Sequence, residues 1–259
     1  MRVEISSAPE GPLIVDSALA PGTALSVIVP TFREEENIGP FLTALCGDLD
    51  TILPGSYEIV VVDDDSPDLT LEKAAEIAAT HPQIRLVRRT RKRELATAVI
   101  RGWQVASGDV LATINADFQH PPAMIARMWK LVQNVDLVVA SRYCEGGGVG
   151  NWALLRRGFS RGAQLLGRIL LPEVFGRVSD PLSGCFMFRR KVLIGVELKP
   201  IGYKTLIEVL TRGRVTSIAE FPYQMRARES GRSKANGSRS LDYALQLLRL
   251  RKALREAAR

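Results

Sequence analysis

Residues 108–122, GDVLATINADFQHPP, decide the fold of this chain. A β-forming run over 110–114 leads into oxygen-bearing side chains, and two prolines then end the strand and open the next helix. In open α/β sheets, ligands bind at the carboxyl ends of strands. Alternate residues of a strand point the same way, so Asn115, Asp117 and Gln119 are predicted to present three oxygens to one hard cation, Mg²⁺ or Mn²⁺. A single Asp after a strand is, alternatively, a turn residue or a helix cap.

Apolar runs and helix-like segments alternate on both sides of this stretch. Residues 25–32, LSVIVPTF, form a continuous apolar run, which is typical of a strand buried on both faces of a parallel sheet. Ile38, Phe41 and Leu45 then repeat at helical spacing. The alternation continues, with a helix between each pair of strands predicted at 57–62, 84–87, 110–114 and 137–140. It predicts an α/β fold with a mostly parallel central sheet flanked by helices.

The bulk composition limits the class of protein. The chain has 259 residues, a net charge of +7 and a pI near 9.6, which favours an anionic partner such as phosphate, a membrane surface or nucleic acid. No apolar run approaches the roughly 18 residues that span a bilayer. Three widely spaced cysteines indicate reduced thiols in a cytosolic protein. Residues 1–24 lack the apolar core of a signal peptide and are predicted to form a poorly ordered leader.

Two further strand ends are acidic. PTFREEEN at 30–37 follows the first strand, and VVVDDDSPD at 60–68 follows the second. Together with NADFQHPP, they resemble the motifs of family 2 glycosyltransferases that act on polyprenyl phosphates, of the dolichyl-phosphate mannose synthase type. Asn115 stands where that family has the first Asp of its central motif. The resemblance implies a GT-A-type nucleotide-diphospho-sugar transferase fold.

The resemblance also implies which residues contact the nucleotide sugar, GDP-mannose or UDP-glucose. Carboxylates accept hydrogen bonds from ribose hydroxyls and base N–H groups. The implied contacts are Pro30, Phe32 and Glu34 for the base, Asp63 or Asp64 for base or ribose, Asn115 for the donor and its metal, and Arg91 or Lys92 for the diphosphate. The alternatives are a capped, solvated turn for the three aspartates and a solvated charge run for 88–93, where relatives carry a K-x-G-L-G loop.

The second half of the chain contains the acceptor motifs. DPLSGCFMF at 180–188 resembles the family's D-P-x-S-G-F-F strand, and RESGRSK at 228–234 matches its R-x-x-G-x-S-K loop. Residues 152–171 mix leucines with arginines, which fits a helix on a membrane surface or an ordinary packed helix with a basic outer face. The resemblance implies that the prenyl phosphate docks among groups that suit phosphate oxygens, namely Arg142, Arg156, Ser160, Arg228 and Lys234.

The resemblance implies an inverting hexosyltransferase. Mannose or glucose would pass from the nucleotide sugar to a polyprenyl or dolichyl phosphate at the cytosolic face of a membrane, with the protein bound peripherally. The acceptor phosphate has a second pKa of about 6, so it is already an anion at neutral pH and needs no strong base. The candidate catalytic residues are Asp117, through the metal, and Asp180, as an orienting group or weak base unless it is only a turn residue. The catalytic domain is predicted over 25–236, and a basic amphipathic helix over 237–259.

Other functions fit part of the sequence. A glycosyltransferase with a soluble acceptor would share the donor motifs without needing the basic amphipathic helices. A degenerate, non-catalytic nucleotide-sugar-binding protein would explain Asn115 and the missing loop glycines. Nucleic-acid binding would explain the charge, but no recognised module is present, so no nucleic-acid partner is predicted. A dinucleotide dehydrogenase is disfavoured because no G-x-G-x-x-G follows the first strand.

Overall fold

The computed structural model describes residues 3–17, 22–91, 93–150, 154–226 and 238–257, without the side chains of 154–157, 238, 239 and 257. The strands in chain order are β1 (Ile5–Ser7), β2 (Leu25–Thr31), β3 (Tyr57–Asp63), β4 (Ile84–Arg88), β5 (Val110–Thr113), β6 (Leu137–Ser141), β7 (Phe186–Arg189) and β8 (Ile218–Pro222). The helices are α1 (Ile38–Asp50), α2 (Thr70–Ala78), α3 (Leu95–Val105), α4 (Ala123–Val132), α5 (Leu154–Leu170), α6 (Pro172–Phe175), α7 (Thr205–Arg212) and α8 (Ser238–Ala257).

One sheet joins the described strands in the order β1-β4-β3-β2-β5-β7-β6-β8. Neighbouring strands run parallel, except that β7 runs antiparallel to both β5 and β6. The predicted α/β fold with a mostly parallel sheet is therefore confirmed. The reversal of β7 was not predicted, and it matters for the site described below.

Helices cover both faces of the sheet. Alternate residues of a strand face opposite layers, and in β3 Val60 and Val62 join the core beneath α3 and α5–α8, whereas Ile59 and Val61 join the core beneath α1, α2 and α4. Gly102 lets α3 lie directly on β2, since a Cβ there would stand 2.6 Å from Ile28 Cγ2. The sheet is buried on both sides, so function is expected at its edges.

The prediction that residues 1–24 form a poorly ordered leader is wrong over the described residues 3–17. β1 pairs in parallel with β4 at the edge of the sheet, with Ile5 opposite Leu86, and Val15 is fully buried. The segment is tied to α3, where Arg101 Nη2 donates a hydrogen bond to the Gly11 carbonyl at 2.6 Å. A short strand followed by a looped segment has no strong periodicity, so its structure comes from tertiary contacts with the open edge of β4 and with α3.

The predicted C-terminal helix is present as α8, and it packs on α5 and α7. Tyr243 Oη donates to the Ala163 carbonyl at 2.7 Å, and Gln246 Nε2 donates to the Lys204 carbonyl at 3.0 Å. Leu247 and Leu250 are buried, whereas a second stripe is exposed, made of Leu241, Leu245 and Leu248. Within the described part of the chain, no helix has both the length and the apolar content needed to cross a membrane.

Candidate active site

The polar side chains that the motifs supply meet at one edge of the sheet. The parallel strands β2, β3, β5, β6 and β8 end there, and β7 begins there because it runs the opposite way. The reversal brings Asp180, which precedes β7, against Arg142, which follows β6. This edge is where α/β folds bind ligands.

The central motif does not continue as a strand. β5 ends at Thr113, and the chain then turns, with Phe118 in the left-handed region at φ 55°. Asp117 Oδ1 accepts a hydrogen bond from the Gln119 N–H at 3.2 Å. The expectation that Asn115, Asp117 and Gln119 alternate along an extended strand is therefore wrong, because the Asp side chain satisfies the turn that replaces the strand.

The oxygen atoms of this turn are suitable ligands for a hard cation, but together they carry little negative charge. Asp117 is buried and is the only carboxylate of the motif, while the Asn115 amide lies against Gly184 and Gln119 Nε2 donates to the Arg226 carbonyl at 3.4 Å. No group of three His, Cys, Asp or Glu suited to a metal occurs among the described residues. Mg²⁺ or Mn²⁺ would be held here by Asp117 with the Asn115 and Gln119 carbonyls, and the remaining ligands would have to come from a bound anion or water.

The predicted base pocket lies at the ends of β2 and β3. Pro30 of β2 lies opposite Val62 of β3. The pairing of β2 with β5 has already ended at Ile28, so the missing N–H of Pro30 interrupts no hydrogen bond between β2 and β5. The Phe32 ring is partly exposed, and two guanidinium groups lie near its centre, that of Arg33 at 5.3 Å and that of Arg93 at 5.1 Å.

Glu34 is the third residue of that pocket. It is buried, and its Oε2 accepts a hydrogen bond from Asn37 Nδ2 at 2.9 Å. Its backbone N–H donates to Thr70 Oγ1 at 2.9 Å, which ties the segment after β2 to α2. The carboxylate is thus held close to the end of the strand.

The two candidate aspartates after β3 have different surroundings. Asp63 is fully buried, and its carboxylate accepts from Thr31 Oγ1 at 2.8 Å and from the Ser66 hydroxyl and N–H at 2.6 and 2.8 Å, so it shapes the loop. Asp64 Oδ1 lies 3.1 Å from Arg89 Nη1 but accepts no hydrogen bond from a described residue. Burial raises the pKa of Asp64 to about 6 despite that arginine. Of the two, only Asp64 has a carboxylate oxygen without a described hydrogen-bond donor, and that oxygen is buried beside Arg89.

The basic loop after β4 contributes a residue that the sequence did not single out. Arg91 is exposed and pairs with exposed Glu10 at 3.0 Å, away from the other candidate residues. Lys92 lies outside the described residues. Arg93 instead donates to the Asp64 and Asp65 carbonyls, both at 3.1 Å, and stacks on Phe32. The cluster of arginines was visible in the sequence, but only the folded loop distinguishes Arg93.

The acceptor candidates meet around a buried ion pair. Arg142 Nε and Nη2 donate to the two oxygens of Asp180, each at 2.7 Å, and Asp180 is 0% exposed. The Arg142 guanidinium lies 5.2 Å from the Tyr143 ring centre, and the Tyr143 and Ser160 hydroxyls are hydrogen-bonded at 3.0 Å. Because both Asp180 oxygens are engaged by Arg142, the geometry favours Asp180 as an orienting group over a base.

The structure says less about the other three acceptor candidates. Arg156 lies on α5 one turn before Ser160, but its side chain is not described. Arg228 and Lys234 lie outside the described residues. The chain leads towards them from Arg226, whose N–H donates to the Gln119 carbonyl at 3.3 Å. Their predicted roles stay predictions.

Three buried polar residues at this edge had no assigned role. His120 Nε2 is hydrogen-bonded to Tyr223 Oη at 2.9 Å, and Lys204 Nζ donates to the Leu182 carbonyl at 2.7 Å. Burial, and then the charge of Arg142, lowers the pKa of His120 to about 3, so the imidazole is neutral. His120 stands in the central motif and Lys204 in the Gly202-Tyr203-Lys204 segment, so the sequence carried a signal for both, but nothing in it marks Tyr223.

Comparison with known proteins identifies the family. Residues 26–196 match glycosyl transferase family 2. The chain is 44% identical over 230 residues to the dolichol-phosphate mannosyltransferase of Pyrococcus furiosus, covering 88% of this chain and 64% of that protein. It is 31% identical over 234 residues to the Saccharomyces cerevisiae enzyme of the same name, covering 87% and 86%. It is 34% identical over 222 residues to the polyprenol monophosphomannose synthase of Mycolicibacterium smegmatis, covering 82% and 81%.

Solved structures confirm the predicted GT-A fold. Glucosyl-3-phosphoglycerate synthase from Mycobacterium tuberculosis, in complex with Mn²⁺, UDP-glucose and phosphoglyceric acid, superposes with a TM-score of 0.67 at 22% identity, covering 92% of this chain and 88% of that one. Mannosyl-3-phosphoglycerate synthase from Rubrobacter xylanophilus gives 0.65 at 20% identity, covering 92% and 76%. The motifs, the fold and the sequence relatives agree, and the chain belongs to glycosyl transferase family 2, as a glycosyltransferase of the dolichol-phosphate mannosyltransferase type.

Proposed function

We propose that this chain transfers mannose from a nucleotide sugar to a polyprenyl or dolichyl phosphate, with inversion at the anomeric carbon. The observation that carries the proposal is the network from Asp180 through Arg142 and Tyr143 to Ser160, at the same sheet edge as the donor motifs. The names of the relatives at 31–44% identity support a mannose donor and a dolichol or polyprenol phosphate acceptor.

The chemistry follows from the charges of the two substrates. A phosphate oxygen of the acceptor attacks the anomeric carbon, and the bond to the nucleoside diphosphate breaks. The acceptor is an anion at neutral pH, so the protein has to orient it rather than deprotonate it. Asp180 fixes the Arg142 guanidinium, whose planar fork suits phosphate oxygens.

The donor side binds and orients the nucleotide. Phe32 and Arg93 offer a stacking surface, and Glu34 and Asp64 offer acceptors for base or ribose donors. When Mg²⁺ or Mn²⁺ is bound at Asp117, Asn115 and Gln119, it neutralises charge on the leaving diphosphate. The mycobacterial glucosyl-3-phosphoglycerate synthase has been solved with Mn²⁺ and UDP-glucose and with Mg²⁺ and UDP, which supports this choice of cation.

The exposed faces of α5 and α8 support peripheral binding to the cytosolic face of a membrane. Phe159 is 71% exposed, Ile169 63% and Leu241 64%, and both helices also carry arginines. Helices with one apolar and one basic face lie in the lipid interface, and each Lys or Arg near an anionic surface contributes about 1 kcal/mol. Salt screens that contribution.

Sedimentation with anionic liposomes tests the membrane part of the proposal. We expect the bound fraction to fall as the salt concentration rises, and we expect Phe159→Asp to weaken binding. Leu131→Asp is the matched control, since Leu131 is exposed on α4, which covers the other face of the sheet. Absence of binding at low salt would favour the rival with a soluble acceptor.

The decisive experiment is a panel of nucleotide sugars offered with Mg²⁺ or Mn²⁺ to a polyprenyl phosphate and, in parallel, to phosphoglyceric acid. We expect organic-soluble mannosyl phosphate product only with the prenyl acceptor. Transfer only to phosphoglyceric acid would support the soluble-acceptor rival. Nucleotide binding without any transfer would support a degenerate, non-catalytic protein.

A further inference from the structure

A cluster of ionisable groups beside the acceptor network contains one cation that the mechanism above does not use. Lys204 immediately precedes α7 and is partly buried. Its ammonium donates to the Leu182 carbonyl at 2.7 Å and lies 4.8 Å from the centre of the Tyr203 ring. No other described residue accepts a hydrogen bond from Nζ. An ammonium has three donors, so this one retains capacity for a further acceptor.

The groups around the ammonium do not balance its charge. Arg142 and Asp180 face it from the ends of β6 and β7, and the Asp180 carboxylate is already paired with Arg142 through two hydrogen bonds. His120, which faces it from the turn after β5, is neutral. With Lys204 protonated, two cations therefore share one carboxylate in a largely buried cluster. A buried charge without a counter-ion is costly, and the described groups Lys204, Arg142, Asp180 and His120 together carry a net positive charge.

The described residues of the neighbouring elements do not supply a second anion. Glu94 accepts a hydrogen bond from the Gly202 N–H, and Asp242 lies against Gly202. Gln246 donates to the Lys204 backbone carbonyl. Asp180 is the only described carboxylate whose charge raises the Lys204 pKa. Burial, followed by the charge of Arg142, lowers the pKa of Lys204 to about 7.

We propose that Lys204 binds the acceptor phosphate together with Arg142, and that it takes up a proton as the phosphate enters. The proposal rests on the proposed function and adds one binding residue to it. An entering anion raises the affinity of Lys204 for its proton, because an opposite charge nearby favours the charged form. The complex then binds more protons than the free enzyme over the pH range where free Lys204 is partly neutral.

The linkage has a definite sign. Below pH 7, Lys204 is already charged in the free enzyme, so acceptor binding needs no proton. Above pH 7, binding requires proton uptake, and acceptor affinity falls as pH rises until the pKa of Lys204 in the complex is passed. The acceptor's own second ionisation near pH 6 acts in the opposite direction and is mostly over by about pH 7.

The test compares Lys204→Met and Lys204→Arg with the wild-type enzyme from pH 6 to 9, measuring KM separately for the polyprenyl phosphate and for the nucleotide sugar. At pH 6.5, Lys204→Met should raise the acceptor KM by about tenfold, as expected for loss of a charge-assisted hydrogen bond, and leave the donor KM unchanged. It should also remove the rise in acceptor KM above pH 7. Lys204→Arg stays charged, so it should keep a low acceptor KM through pH 9. Lys199→Met is the matched control, since Lys199 is exposed.

Two outcomes would overturn the proposal. An unchanged acceptor KM and pH profile in Lys204→Met would show a purely structural lysine, and a raised donor KM would assign the lysine to the donor diphosphate. If Lys204→Met does not fold, the pH profile of Lys204→Arg and a measurement of proton uptake test the proposal. Addition of a short polyprenyl phosphate to weakly buffered wild-type enzyme at pH 7.5 should consume protons. Absence of proton uptake refutes the proposal. A wild-type enzyme that does not use polyprenyl phosphate would refute the proposed function itself, which is a separate result.

Discussion

The two edges of the sheet use buried charges in opposite ways. At the edge where the parallel strands begin, Asp136 Oδ2 accepts hydrogen bonds from the Thr216 and Ser217 N–H groups at 3.0 and 3.3 Å, while Lys191 pairs with its other oxygen at 2.9 Å. Arg190 there donates to the Gly108 and Ala106 carbonyls at 2.7 and 2.9 Å. Asp136 thus joins the start of β6 to the start of β8, and Arg190 joins the end of β7 to the segment before β5.

At the edge where the parallel strands end, Arg142 and Asp180 are paired through two hydrogen bonds, but other polar side chains are incompletely bonded. His120 Nδ1 and Asp64 Oδ1 have no hydrogen-bond partner among the described residues. Lys204 has one hydrogen bond and a lowered pKa. A buried polar group that the protein leaves unsatisfied costs stability, and such groups persist where a ligand uses them. We interpret the first set as charges that hold the fold and the second set as groups available to a substrate.

The largest effect is expected from Asp117→Ala. It removes the only carboxylate of the central motif, so metal-dependent nucleotide binding should be lost and transfer should fall by about 10³-fold. Asp109→Ala is the matched control, because Asp109 is exposed just before the same strand, at the opposite edge. Calorimetric titration of the nucleotide with metal present measures the effect. Unchanged binding would remove Asp117 from the site.

Asp180→Asn should reduce both stability and transfer. It leaves the Arg142 guanidinium buried beside a neutral amide, which should cost about 3 kcal/mol, and it frees Arg142 from its orientation. The double variant Arg142→Met with Asp180→Asn should recover most of the stability but none of the transfer. Denaturant unfolding and acceptor kinetics on the single and double variants measure both. Transfer restored in the double variant would contradict a role for the pair in acceptor binding.

Asp136→Ala tests the other side of the comparison. It leaves the Thr216 and Ser217 N–H groups without their acceptor, so the free energy of unfolding should fall by about 1–3 kcal/mol while kcat of the folded enzyme is unchanged. Hydrogen bonds from Lys191 and Thr216 hold the Asp136 pKa below its ordinary value. Its contribution is therefore present above about pH 4 and is lost as pH falls.

Thermal melts of the wild type and of Asp136→Ala from pH 3 to 7 check this prediction. The two melting curves should approach each other as pH falls below about 4, because the unfolded chain then takes up a proton at Asp136 before the folded protein does. A variant with unchanged melting but reduced kcat would show that the amino-end edge also serves catalysis, and the contrast between the edges would fail.

Asn115→Asp should have the smallest effect. It adds a second carboxylate beside Asp117, so metal affinity without donor should increase, because hard cations are held largely by carboxylate charge. The gain should be smaller once nucleoside diphosphate supplies its own negative charge. Metal titration of both forms, with and without the diphosphate, measures this difference. If neither curve changes, Asn115 does not lie near the metal.

Much of the fold could be predicted from the sequence because the signals are local. The apolar run 25–32 became β2, and the helical repeat at Ile38, Phe41 and Leu45 became the buried face of α1. Asp117, Glu34 and Arg142 were recognised because motifs at strand ends keep their chemistry wherever the strands lie. The β1 strand was missed because three residues carry too little periodicity to distinguish a strand from a tail.

Local periodicity and the motifs at strand ends thus predicted the family and the sheet edge where the polar side chains meet. Tertiary structure alone decided which of those residues face each other. The antiparallel pairing of β7 with β5 and β6 joins Asp180 to Arg142 across 38 residues of sequence, and burial beside that pair lowers the pKa of Lys204. Strand direction and desolvation depend on contacts between distant segments, and a local pattern contains no record of them.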